Sequence, residues 1–216
     1  MKNGVISRTV RASRRLIGSS EPDRPTALAR RVIDQSGLFD EQFYRQRYRS
    51  QLPDGVDPLD HYIARGARAG LAPNPWFDSE FYLTDNPDVA QSGWNPLFHF
   101  VQHGWKEMRS PSATGYDLVW HWVMDGQADA GTENPMKRHC AQYRATRAKS
   151  IVRKPEPLTD EEAPLFVAAC HTALAEWQIG ESALGAIAAY AARNKLWATA
   201  ADPVSSSVTL IVTWMV

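Results

Sequence analysis

Apolar positions recur along this chain at helical spacing, and three times they follow the same polar punctuation. Phe39-Asp40, Phe77-Asp78 and Tyr116-Asp117 each set an aromatic before an aspartate, and 18 residues after each aromatic stands an Asx-Pro pair: Asp57-Pro58, Asn95-Pro96 and Asn134-Pro135. The starts lie 38 and then 39 residues apart, so the pattern predicts tandem copies with one extra linker residue before the third. An aspartate placed this way opens a helix, because its carboxylate accepts from backbone N–H groups left free in the first turn. The aromatic ahead of it packs on a side chain one turn in. The expected clasps are Phe39 on Tyr44 and Phe77 on Tyr82. In the third copy His121 takes the tyrosine's place, which predicts a weaker clasp.

The second half of each copy reads as another helix. Asp57, Asn95 and Asn134 are good caps, and Pro58, Pro96 and Pro135 occupy the first helical position, where a missing N–H costs nothing. Leu59, Tyr62 and Ile63 form an i, i+3, i+4 stripe, as do Leu97, Phe100 and Val101. Gly66 and Gly104 stand where a helix end takes a left-handed residue, so these second helices are expected to run about two turns. The third copy has Tyr143 at that point, and either caps the array or runs on into the next helix. Helix pairs this short cannot bury a face alone, so the copies, at 37–73, 74–112 and 115–143, are expected to stack.

The flanks read differently. Residues 1–36 carry Lys2 and seven arginines against Glu21, Asp23 and Asp34. That composition predicts a basic, largely disordered arm, with weak contact to an anionic membrane surface as its functional alternative. Residues 144–158 are basic and then proline-rich, as in a linker. Thr159-Asp160-Glu161-Glu162 has the form of a capping box, opening a helix with Phe166, Val167, Cys170 and Leu174 on one face. Ser182 is expected to cap a second, Ala-rich helix to about Ala200, giving a helical hairpin over 159–201. The β-branched run Val208–Val212 predicts a strand within 208–216. The fold class expected is therefore mainly α: tandem short helix-pair repeats, a helical hairpin and one C-terminal strand.

Composition narrows the functional classes. Lys+Arg and Asp+Glu both number 24, so no global field draws the chain to nucleic acid. No apolar run reaches the ~20 residues of a spanning helix, and no secretory pattern opens the chain. Two cysteines, Cys140 and Cys170, make no disulfide framework, which points to a cytoplasmic setting. No Asp-x-Asp pair is present to hold a cation on a diphosphate, and no Gly-rich phosphate loop occurs, so no catalytic or cofactor-binding residue is assigned. His99 and His103 have an i, i+4 metal spacing but lack cysteine or carboxylate support, so no metal is predicted. The candidate binding residues are Trp76, Trp94, Trp105 and Trp120, placed either to stack on a sugar ring, to pin a protein partner or to fill gaps between helices. Trp94 and Trp105, beside expected helix ends, are the two expected to be exposed.

The second copy contains Phe77-Asp78, Phe81-Tyr82, Asn86-Pro87-Asp88-Val89-Ala90, Gly93-Trp94-Asn95-Pro96-Leu97, His99-Phe100 and His103-Gly104-Trp105-Lys106-Glu107. This pattern resembles the N-terminal repeat region of certain bacterial glycosyltransferases that build cell-surface polysaccharides. The resemblance spans residues 37–143, about half the chain. The first copy departs from it with Tyr48-Arg49-Ser50-Gln51 in place of N-P-D-V, and the third has Arg138 where the others have His61 and His99. The resemblance implies a non-catalytic region that positions or docks an enzyme, inactive alone, with the terminal strand opening a nucleotide-sugar domain. The residues themselves leave open a stand-alone module that binds a glycan or a protein, its terminal strand a plain strand or an exposed tail.

Overall fold

The computed structural model describes residues 24–125, 133–148, 153–154, 156–176 and 181–194, and over them the protein is mainly helical. Residues 1–23, the far end of the expected hairpin and the expected strand at 208–216 lie outside the described residues, as do the side chains of Leu174 and Ser182.

Each expected first helix forms behind its aspartate. Asp40 accepts from Phe43 N at 2.8 Å to start α2 (Glu41–Arg47), and Asp78 accepts from Phe81 N at 3.0 Å to start α4 (Ser79–Asp85), numbering from α1 (Arg24–Ser36) and α3 (Pro58–His61) in chain order. Asp117 does the same for Trp120 N at 3.0 Å, opening α7 (Leu118–Asp125). The second copy inserts α5 (Pro87–Ser92) before α6 (Pro96–His99). The Asx-Pro caps close their helices as well: Asp57 accepts from Asp60 N at 3.0 Å, and Asn95 accepts from Leu97 N at 3.0 Å.

The aromatic clasps set ring centroids at 5.4 Å for Phe39–Tyr44 and 5.1 Å for Phe77–Tyr82. In the third, Tyr116 stacks on His121 at 4.6 Å and 22°, closer and more nearly parallel than the first two pairs.

Gly66 and Gly104 do not serve as left-handed helix ends; neither has a positive φ, and that role falls to Gly37 after α1 and Gly93 after α5, while Gly55 and Gly70 are left-handed in turns. The two glycines sit instead in π-helical turns, Tyr62–Gly66 and Phe100–Gly104, that continue α3 and α6. There the backbone makes i→i−5 bonds, Ala67 N to Tyr62 O at 2.8 Å and Trp105 N to Phe100 O at 3.2 Å. A Cβ at either glycine would overlap the hydroxyl of Tyr44 or Tyr82. Those hydroxyls reach across to the second helix and bond His61 Nδ1 and His99 Nδ1, each at 2.9 Å. Glycine is there for close approach, not handedness. In the third copy Tyr143 takes the glycine's place, and His121 Nδ1 meets His139 Nε2 of the following helix at 3.3 Å. That helix, α8 (Met136–Thr146), runs past Tyr143 as a regular helix and stops at Arg147, whose φ is 53°.

Tyr62 Oη meets Ser79 Oγ at 3.0 Å between the first and second segments, and Arg147, which ends α8 just past the third, returns to the first. Its Nη1 bonds both oxygens of the buried Asp40, at 2.9 and 2.7 Å, across 107 residues of chain. Arg144 Nη1 donates to the Gly37 carbonyl beside it.

Two flanking segments depart from expectation. Residues 24–36, placed above in a disordered arm, form α1, which buries Ala29 and Ile33 against the first two copies and pairs Arg30 with Asp60 at 2.7 Å. The reason is an i, i+4 apolar pair within the basic run, a seam narrow enough for the charges to hide. In the expected linker, Arg153 is firmly held. Its carbonyl accepts from Asp117 N at 2.9 Å, its N–H donates to His121 Nε2 at 3.0 Å, and its guanidinium pairs with Glu162 at 2.7 Å.

Beyond it, the capping box closes reciprocally: Glu162 N to Thr159 Oγ1 at 3.2 Å and Thr159 N to Glu162 Oε2 at 3.0 Å. That starts α9 (Glu162–Glu176), whose Phe166, Val167 and Cys170 are buried as expected. The partner helix α10 is Glu181–Arg193, so Ser182 lies inside it rather than at its cap. Tyr190 of α10 donates to Asp117 at 2.8 Å and so pins the hairpin to the third copy.

Candidate functional site

The four candidate tryptophans separate by burial. Trp76 is 6% exposed, edge-on to Tyr143 at 5.5 Å where α8 meets the second copy. Trp105 is 5% exposed, against the expectation that it would be open. The π-helical turn before it swings the indole back, so that Nε1 donates to Val101 O at 3.2 Å. Trp120 is half-buried, stacked on Phe166 at 5.9 Å with the Arg153 guanidinium 5.0 Å over its ring. Its faces are thus taken by the hairpin and the held linker. Trp94 alone of the four is open to solvent, at 43%.

Local sequence puts Trp94 there. Proline at its first position favours α5, and Gly93 ends it in the left-handed conformation at φ 72°. The chain reverses at that glycine, and Asn95 at once caps α6, leaving Trp94 as the outward residue of a tight corner. Its ring rests on Phe98 at 5.4 Å, His103 at 5.6 Å and His99 at 5.7 Å. His99 is the fixed member. Burial, and then the nearby Arg109 charge, hold it below the usual imidazole value. Burial pushes the Tyr82 phenol up, so Tyr82 keeps its proton, and its hydroxyl shares a 2.9 Å hydrogen bond with His99 Nδ1.

Arg109 braces the same corner. Its Nη1 bonds Asn86 Oδ1 at 2.9 Å and Asp88 Oδ1 at 2.8 Å, and its Nε bonds Glu107 at 2.6 Å. The bond from Arg109 holds the Asp88 carboxyl at about 2. The start of α5 is thereby tied to the end of the second copy.

None of this is common to the three copies. Trp94 aligns with Val56 and Glu133, Phe98 with Asp60 and Lys137, His103 with Arg65 and Gln142, and Arg109 with Leu71 and Ala148. The first copy has neither α5 nor these side chains, yet Gly55 is left-handed and Asp57 caps its second helix, so the aromatic patch is an addition to the unit and not part of its packing. Sequence reading singled out Trp94, and weighed His99 and His103 only as a metal pair, but did not join them or Phe98 to it. The signal was present, since Phe98 lies one helical turn after Trp94 and His103 one turn after His99.

Other groups offer less. Among the described residues no cluster of three or more His, Cys, Asp or Glu could hold a metal. Cys140 and Cys170 are buried, and burial pushes both thiols up to about 12, where a thiolate is inaccessible. An open cleft of about 590 Å³ lies between α1, α2 and the end of α8, with Gln42 and Gln46 on its wall, but its arginines are engaged: Arg30, Arg45 and Arg147 pair with Asp57, Glu41 and Asp40, and Arg144 donates to the Gly37 carbonyl. No described helix is long and apolar enough to cross a membrane. No protein-family model matches the chain, and no curated protein or solved structure does so either.

Proposed function

We propose that residues 37–143 are three copies of one helix-pair unit and that the chain is the non-catalytic N-terminal repeat region of a bacterial glycosyltransferase of cell-surface polysaccharide biosynthesis, acting on the cytoplasmic side. It would position or dock the enzyme rather than carry its chemistry. One observation supports this most directly: what the first two copies share is consumed by packing. The aspartate caps, the Tyr–His bonds and the glycines beneath them all hold helices together. What remains for function is the aromatic corner added to the second copy around Trp94, a surface suited to contact.

Sequencing the gene beyond codon 216 tests the reading. The expected result is a frame, direct or reached by one shift, that continues into a nucleotide-sugar domain. A stop codon with nothing homologous behind it overturns the proposal. The second reading, favoured by the exposure of Trp94, would then lead: a stand-alone module that binds a glycan or a protein. Under either reading the purified chain releases no nucleotide from nucleotide-sugar donors, and release would sink both.

A further inference from the structure

We infer that the Trp94 corner binds the apolar face of a neutral hexopyranose within an oligosaccharide chain. The inference rests on the reading of that corner as the contact surface, and it names the ligand. An exposed indole braced by Phe98, His99 and His103, whose rings stand at 51°, 62° and 45° to it, offers a rigid, apolar, electron-rich face. A pyranose ring with equatorial hydroxyls has a matching face lined by C–H groups, and its hydroxyls project sideways in the ring plane. Exposed polar groups of the same copy suit those hydroxyls. Gln91, at the end of α5, and Gln102 and His103, in the π-helical turn, are exposed, and each side chain both donates and accepts. None is a carboxylate or a guanidinium, and the nearby Arg109 is occupied by Asp88 and Glu107, so nothing at the corner selects an ionic ligand.

A protein partner is less well matched. Protein hot spots sit in a contiguous apolar patch that excludes water. Among the described residues, the other large exposed apolar side chains are Leu28 on α1 and Leu165 on α9, not the neighbours of Trp94 in its own copy. Support for the indole is also built in rather than adapted. Tyr82 fixes His99, and His99, Phe98 and His103 hold the ring, so little rotamer freedom remains to be lost on binding.

The test uses the full 216-residue chain with cellotriose, chitotriose and maltotriose as probes, read by saturation-transfer NMR. At least one sugar is expected to receive saturation at the ring C–H protons of one pyranose face, with millimolar affinity. Trp94→Ala should weaken that affinity about fivefold or more, and Trp94→Tyr should restore most of it. Saturation undiminished in Trp94→Ala, or absent for all three sugars, overturns the inference. Self-association that depends on Trp94, without sugar binding, also overturns it and makes the corner a protein contact. Should Trp94→Ala fail to fold, the indole N–H resonance of Trp94 in the unaltered chain decides: it moves on sugar titration if the inference holds and stays put if it fails. Failure here leaves the gene-sequence test of the wider reading untouched.

Discussion

The hydroxyl of Tyr82 occupies the space that a side chain at position 104 would need. Glycine in a helix normally costs about 1 kcal/mol against alanine, so a stabilising Gly→Ala change is the naive expectation. Here the sign reverses. Gly104→Ala forces Tyr82 off His99, and overpacking of this kind costs about 1–3 kcal/mol, read as a lower urea midpoint. Tyr82→Phe in the same chain removes the colliding oxygen, so the double variant should recover part of the loss. His99 supplies a pH test at the same place. Its folded value is depressed, so the unfolded chain takes up the proton more readily. That stability is present above the usual imidazole value and is lost as pH falls through it towards the depressed one. Thermal melts from pH 7.5 downward should show the decline, and His99→Gln should flatten it.

Helices in this protein are short, and their ends hold more of the information than their middles. An Asp cap contributes about 1 kcal/mol, and each of the three first helices has one. The caps then diverge in their second partner: Asp40 takes Arg147, Asp117 takes Tyr190, and Asp78 stays exposed. For Asp117 burial pushes the carboxyl up, and the bond from Tyr190 opposes that shift. Tyr190→Phe leaves the buried oxygen without its donor, at a cost of about 1–3 kcal/mol. Because that bond joins the hairpin to the third copy, the loss should fall on the docking of the hairpin. Limited trypsin digestion is expected to cut at Arg193 several-fold faster while α2 to α6 stay intact; equal rates would show that Trp120–Phe166 stacking alone holds the hairpin. The helix starts were legible in sequence because a cap and its N–H groups lie within three residues of each other. The π-helical turns were not, because a glycine there answers to a tyrosine hydroxyl some 22 residues away along the chain.

At the scale of the whole molecule, the decisive contact joins residues 107 positions apart. An open solenoid unfolds by pieces, since each unit meets only its neighbours. Arg147 instead returns the third copy to the cap of the first, so the copies should unfold together. Arg147→Ala strips a buried carboxylate of its counter-charge. Arg147 is itself about one-third exposed, so the cost is placed at about 2–3 kcal/mol, below that of a fully buried pair. Asp40→Ala loses the cap as well and should cost more. The double variant should fall short of the sum by about 1 kcal/mol or more, since each single change already breaks the pair. Additive urea midpoints would mean that the pair contributes nothing to closure.

The division between chain and fold follows from distance along the sequence. Sequence by itself determined the mainly helical character, the Asp and Asx-Pro helix starts, two of the aromatic clasps and the capping box, because each is written in residues within about one turn of each other. It also pointed to Trp94, since a residue squeezed between a left-handed glycine and a helix cap has few ways to turn inward. Tertiary structure alone decided that Trp76, Trp105 and Trp120 are covered, that a basic run hides the seam of α1, that Arg153 is anchored rather than free, and that Arg147 closes on Asp40. Those outcomes depend on which surfaces meet, and no local pattern of polar and apolar residues specifies a partner dozens of residues away.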